Sequence, residues 1–177
     1  EDARRALGFG RLNGKWIRVD IHRRQNGFIR HKGRWWVAQD LAIEREKDQL
    51  EEEQVAWNTK IRLLRKIIRR NTDKAAASMA ELRAIRDPSA IKSLSELAEK
   101  DGEPVPMRKV YMRVLADIGT PLAMATLVKL VLADEISVIR DYATELVGDS
   151  QSMWASQALT AGLKSQSNVI VRRAAKA

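Results

Sequence analysis

From Ala75 to Ala177 apolar residues recur at intervals of three and four, in segments separated by short breakers that contain Gly, Pro, Asp or Ser. That spacing puts the apolar side chains on one side of a helix, so this part of the chain predicts a row of short amphipathic helices. Ala38 to about Arg70 holds neither Gly nor Pro and reads as one long helix, with Leu50, Trp57, Ile61, Leu64 and Ile68 on one face. Asp40 is placed to cap its start, and Asn71, Thr72 and Asp73 to end it or to cap the next helix. Ahead of it the pattern changes period. Aromatic, basic and aliphatic residues alternate in Trp16-Ile17-Arg18-Val19 and in Trp35-Trp36-Val37, as in a strand.

The strand-like segments belong to one motif written twice, GFGRLNGKW at 8–16 and GFIRHKGRW at 27–35. Gly8, Phe9, Arg11, Gly14 and Trp16 match Gly27, Phe28, Arg30, Gly33 and Trp35. Asn13-Gly14 is a strong hairpin signal, because a type I′ turn needs positive φ at both central residues; Lys32-Gly33 is a weaker one. Two β-hairpins are expected, at about 9–19 and 28–37. A lone hairpin is marginal in water, so they should pack on each other or on the long helix.

The helical region repeats as well. Arg108, Arg140 and Arg172 stand 32 residues apart, each after an apolar residue. Alignment on them sets Tyr111 over Ala143, Val114 over Leu146, Leu127 over Leu159 and Val131 over Leu163. An earlier unit fits at an offset of 33, with Met79, Leu82, Ile85, Pro88, Ala90, Leu94 and Leu97 over Met112, Leu115, Ile118, Pro121, Ala123, Leu127 and Leu130. Each unit holds two helices around a breaker: Arg86-Asp87-Pro88, Gly119-Thr120-Pro121 or Gly148-Asp149-Ser150. Proline there suits the first turn of the second helix.

The segments IRDYATELV (139–147) and VRRAAKA (171–177) resemble the first helix of HEAT-like repeats, whose short bacterial form shows V-R-x-x-A at this place. The breaker followed by A-x-x-x-L, as in Ala90 to Leu94 and Ala123 to Leu127, resembles the second helix. The resemblance covers about residues 75–177 and implies an armadillo-like α-solenoid with units at 75–106, 107–138 and 139–170 and a partial unit at 171–177. It also implies a protein- or peptide-binding surface, and a ladder arginine that contacts acids or carbonyls between repeats. Some HEAT-like proteins are chromophore lyases or DNA glycosylases, so the fold alone leaves an enzyme open. GTPLAMA at 119–125 is similar to the ankyrin T-P-L-H-x-A signature, but Ala123 stands at the histidine and neither neighbouring unit repeats the motif.

The expected fold is therefore mostly α: a tandem hairpin module at 1–37, a long amphipathic linking helix at 38–74 and HEAT-like repeats at 75–177. Charge divides the same way. Residues 1–43 carry ten Lys/Arg against four Asp/Glu, residues 44–74 nine against seven, and residues 75–177 thirteen against twelve. Any polyanion partner is expected at the N-terminal end. The stretch KIRLLRKIIRR at 60–70 puts cations at the C-terminal end of the long helix, where they complement its dipole.

Chemistry is sparse. The two histidines, His22 and His31, come with no cysteine, and no carboxylate is spaced to complete a zinc site with them. No P-loop, dinucleotide fingerprint, nucleophile elbow or H-E-x-x-H occurs. Asp117, Asp134, Asp141 and Glu145 read as helix-surface carboxylates. No catalytic residue, cofactor or metal is expected, and no apolar run is long enough to span a membrane.

The leading expectation is a non-enzymatic protein- or peptide-binding scaffold with Arg108, Arg140 and Arg172 as surface candidates. The alternative is nucleic-acid binding through Arg11, Lys15, Arg30 and Arg34, with bases stacked on Trp16 and Trp35. Against it stands a structural role for the tryptophans, because so small a module needs large side chains to bury enough area. The repeat array breaks off inside a unit, which leaves an uncapped face for self-association. Absence of cysteine fits reducing and oxidising surroundings alike; the cytoplasm is the working expectation, with a leader removed before Glu1 left open.

Overall fold

The computed structural model describes residues 1–70, 73–150 and 152–177. Among them the chain is mostly helical, with ten α-helices and two two-stranded antiparallel sheets. It forms two compact units, Glu1–Glu51 and Glu52–Ala177.

The first unit contains α1 (Asp2–Ala6), β1 (Phe9–Leu12), β2 (Lys15–Arg18), α2 (Val19–Gln25), β3 (Phe28–His31) and β4 (Arg34–Val37). Both expected hairpins form, with the same register: Arg11 faces Trp16 as Arg30 faces Trp35, and Leu12 faces Lys15 as His31 faces Arg34. Their turns are the left-handed pairs that the sequence calls for, Asn13 at φ 48° with Gly14 at 80°, and Lys32 at 46° with Gly33 at 78°. The short helices α1 and α2 were not expected. At five and seven residues they are too short to show a helical period or to stand alone. Each hairpin instead packs chiefly on the short helix ahead of it, α1 on β1 and α2 on β3.

The long helix α3 spans Ala38–Arg69, and the division between units falls within it. It follows β4 directly, so Asp40 sits in its first turn rather than at its cap. Leu41, 2% exposed, is the one fully buried side chain described before Glu52. Leu50, expected on the buried stripe, is 47% exposed. Asn71 and Thr72 lie outside the described residues.

The second unit holds the rest of α3, then α4 (Ala75–Arg83), a 3₁₀ turn at Pro88–Ala90, α5 (Ile91–Ala98), α6 (Val105–Ile118), α7 (Pro121–Ala133), α8 (Ser137–Asp149), α9 (Met153–Gly162) and α10 (Asn168–Lys176). Ile61 and Leu64 of α3 are buried in its core, with Trp57 and Ile68 partly so. The breakers act through named caps. The Asp87 carboxylate accepts from the Ser89 amide, and the Thr120 hydroxyl accepts from the Ala123 amide with Pro121 in the first turn. Gly119, at φ 67°, ends α6 in the left-handed form. Gly148 and Asp149 stay inside α8, so the last break falls after them.

Helices meet in sequence, α5 on α6, α6 on α7, α7 on α8 and α9 on α10, and also at the next position but one, α4 on α6, α5 on α7, α6 on α8 and α7 on α9. The aligned apolar pairs Leu82/Leu115, Ala90/Ala123, Leu94/Leu127, Tyr111/Ala143 and Val114/Leu146 are buried at both members. The final step departs from 32. Ala143 (fully buried) corresponds to Ala174 (6% exposed), an offset of 31, while Leu163, set over Val131 by the longer offset, is 45% exposed.

Candidate functional site

The repeated residues of the first unit serve one design. In a strand alternate residues share a face, so Phe9, Arg11, Trp16 and Arg18 lie on one side of the first hairpin, and Phe28, Arg30, Trp35 and Val37 on the matching side of the second. The Arg4 guanidinium sits 5.5 Å from the Trp16 ring centroid, and Arg23 sits 5.7 Å from that of Trp35. Arg4 and Arg23 are again 19 residues apart, so the cation–π contact belongs to the repeat. That signal was present in the sequence: Arg4-Arg5 and Arg23-Arg24 extend the alignment upstream of the quoted motif.

Both rings are therefore half-buried and covered on one side by an arginine of their own unit. Of the remaining candidates, Arg11 pairs loosely with Glu1 at 3.7 Å. Lys15, Arg24, Arg30 and Arg34 are exposed, and their side chains make no ion pair or hydrogen bond with any described residue. Lys32 is bound to Asp48 at 2.5 Å.

In the second unit the arginine ladder is structural at its first two rungs. Arg108 is 3% exposed, so it does not belong to a surface. Its Nε donates to the Ala98 carbonyl at the end of α5 (2.6 Å), and its Nη2 pairs with Asp134 after α7. Arg140, half-buried, donates through Nη1 to the carbonyls of Asp134 (2.9 Å) and Glu135 (2.8 Å). Helix ends leave carbonyls without intrahelical partners, and these guanidinium groups supply donors there. The third rung is not Arg172, which is exposed. Arg173 takes its place, donating to the Leu132 carbonyl at 2.7 Å. The one-residue shift of the last unit rotates Arg172 outward.

A second buried contact had no signal in the sequence. Arg65 of α3 grips Glu103 in a two-pronged ion pair, Nε to Oε1 at 2.8 Å and Nη2 to Oε2, and the Tyr111 hydroxyl donates to Oε1 at 3.3 Å. Arg65 holds the Glu103 carboxyl below its ordinary range despite burial. Burial first, then the neighbouring Glu103 charge, push the Tyr111 hydroxyl up.

Two clefts flank the ladder. One, of about 290 Å³, is lined by Glu99, Asp101, Asp134 and Glu135 together with Arg108 and Lys129; both cations are taken, Arg108 by Asp134 and Lys129 by Glu99 at 2.6 Å. The other, of about 230 Å³, is lined by Ser137, Arg140, Asp141, Thr144, Arg172, Arg173 and Lys176 with Val131. So Arg140 and Arg172, separate in sequence, border one depression.

No family model, curated protein or solved structure matches this chain. Its chemistry is therefore read from its own geometry. Among the described residues no three His, Cys, Asp or Glu side chains gather as a metal site, and no helix is long and apolar enough to cross a membrane.

Proposed function

We propose that the chain is a non-enzymatic binding scaffold, its second unit a short stack of HEAT-like helix pairs that offers a surface to a protein or peptide. The observation that carries this reading is the ladder. Arg108 and Arg173 donate to carbonyls in the last turns of α5 and α7, and Arg140 to those that directly follow α7, while the helices pack at successive and alternate positions. Strongly donating side chains are here committed to joining one helix pair to the next. Stacks of this kind build extended surfaces on which side chains vary without disturbing the core.

Nucleic-acid binding is the second reading, favoured by one observation, the exposed Lys15, Arg24, Arg30 and Arg34, which have no side-chain partner among the described residues. The covered faces of Trp16 and Trp35 weigh against base stacking. A direct test immobilises the intact chain and types what it retains from extract before and after nuclease treatment. Retention of a defined protein that survives nuclease and competes with the purified partner fits the scaffold. Micromolar binding to single strands that falls steeply with salt, and is lost in a Lys15→Glu, Arg30→Glu, Arg34→Glu variant, would reverse the ranking. Trp16→Ala gives an independent readout: the first unit should be destabilised and the helical unit left folded.

A further inference from the structure

The second cleft holds more positive charge than the fold requires. Arg140 and Arg173 are accounted for through one nitrogen each: that of Arg173 serves the Leu132 carbonyl in the last turn of α7, and that of Arg140 the Asp134 and Glu135 carbonyls just beyond it. Cations at a helix C-terminus are favourable in themselves. Lys176 is matched by Asp141 at 2.6 Å. Arg172 has no such reason to be there. It is exposed, lies one position off the ladder and has no partner among the described residues, yet it lines the same cleft as the other three cations.

Four cations against the single carboxylate of Asp141 leave an excess of three positive charges around about 230 Å³. Like charges gathered so closely repel one another, and the backbone carbonyls relieve only part of that. The cleft also offers the hydroxyls of Ser137 and Thr144, neither of them hydrogen-bonded to another described residue. Ser137 is the first residue of α8, so the positive end of that helix dipole adds to the field.

The geometry points to an oxyanion site in this cleft, and to a phosphate monoester as its ligand. A phosphate monoester carries between one and two negative charges near neutral pH and three acceptor oxygens. It can therefore engage the free nitrogens of Arg140 and Arg173 together with the whole Arg172 guanidinium, whose fork suits phosphate oxygens. A carboxylate has one charge and two oxygens and would leave most of the excess in place. This assignment rests on the scaffold reading for the source of the phosphate, a phosphorylated residue of a protein partner; the site itself rests on the cleft alone.

The test uses the full chain labelled for NMR and three probes: inorganic phosphate, a short phosphoserine peptide and its unphosphorylated twin. The expected result is that phosphate and phosphopeptide shift amides within 137–144 and 171–176, and that the twin shifts none of them. Arg172→Ala should weaken phosphopeptide binding at least fivefold, and Asp141→Asn, which releases Lys176, should tighten it. Equal binding of phosphate and phosphopeptide, residue for residue, keeps the oxyanion site and gives it to the free ion, while a partner captured in the preceding experiment would still support the scaffold. Shifts confined to Arg24, Arg30 and Arg34, no shift at millimolar phosphate, or an Arg172→Ala variant that binds as well as the parent would each overturn the assignment.

Discussion

At the level of single residues the arginines divide by what they touch. The sequence marks Arg108 and Arg140 because they recur in phase, and both meet carbonyls. It gives no sign of Arg65 and Glu103, which are 38 residues apart in different patterns. Only the folded chain brings them together, and with Glu103 5% exposed their ion pair is a point of vulnerability. Glu103→Gln takes the charge partner from Arg65, itself 19% exposed, and is expected to destabilise the second unit by about 1.5–3 kcal/mol, the range for a hydrogen bond to a charged group. The pair also makes stability depend on pH. The Glu103 carboxyl has a lower pKa folded than unfolded, so its contribution is complete above the ordinary glutamate value of about 4.3 and is lost as pH falls through the folded value. Urea unfolding between about pH 6 and pH 3 should show a steeper acid loss in the parent than in Glu103→Gln. Equal slopes would show that Glu103 is not held by Arg65.

At the level of elements the hairpins were legible because turn chemistry is local: Asn13-Gly14 and Lys32-Gly33 need no tertiary context to declare positive φ. The short helix ahead of each hairpin was not, since its few residues are organised by the strands it rests on. One difference between the copies shows how packing edits a repeat. Gly10 lies where an added Cβ would come within 2.8 Å of the Val19 Cγ2. Its counterpart in the second copy is Ile29, and the counterpart of Val19 is Ala38, so bulk and space have changed places. A substitution at the turn tests the element directly. With φ at 80° Gly14 has no comfortable L-residue replacement, and Gly14→Ala should cost about 1–2 kcal/mol. The readout is thermal unfolding followed through tryptophan fluorescence, with Gly14→Asn expected to lose less because Asn tolerates this region better. If Ala is as stable as Gly, the turn is not left-handed in solution.

At the level of the whole molecule the helices of the second unit and most of its core were legible in the sequence, because burial at a 32–33-residue spacing repeats the same apolar types at Leu82 and Leu115, and at Leu94 and Leu127. The sequence misplaced the end of the array, where the step shortens to 31 and small residues such as Ala143 and Ala174 give too weak a signal to fix the register. Leu115 and Leu127, both 0% exposed, should each lose about 2–5 kcal/mol on replacement by Ala, as read by chemical denaturation. The arginine contacts to backbone carbonyls in the second unit are tested most directly at the last of them, by comparing the unfolding free energies of Arg173→Ala and Arg172→Ala in the intact chain. Loss of the charged hydrogen bond from Arg173 to the Leu132 carbonyl should lower stability by about 1.5–3 kcal/mol, whereas Arg172→Ala should stay within about 0.5 kcal/mol of the parent. The reverse order, with Arg172 the costly residue and Arg173 silent, would contradict the ladder and restore the uniform 32-residue register.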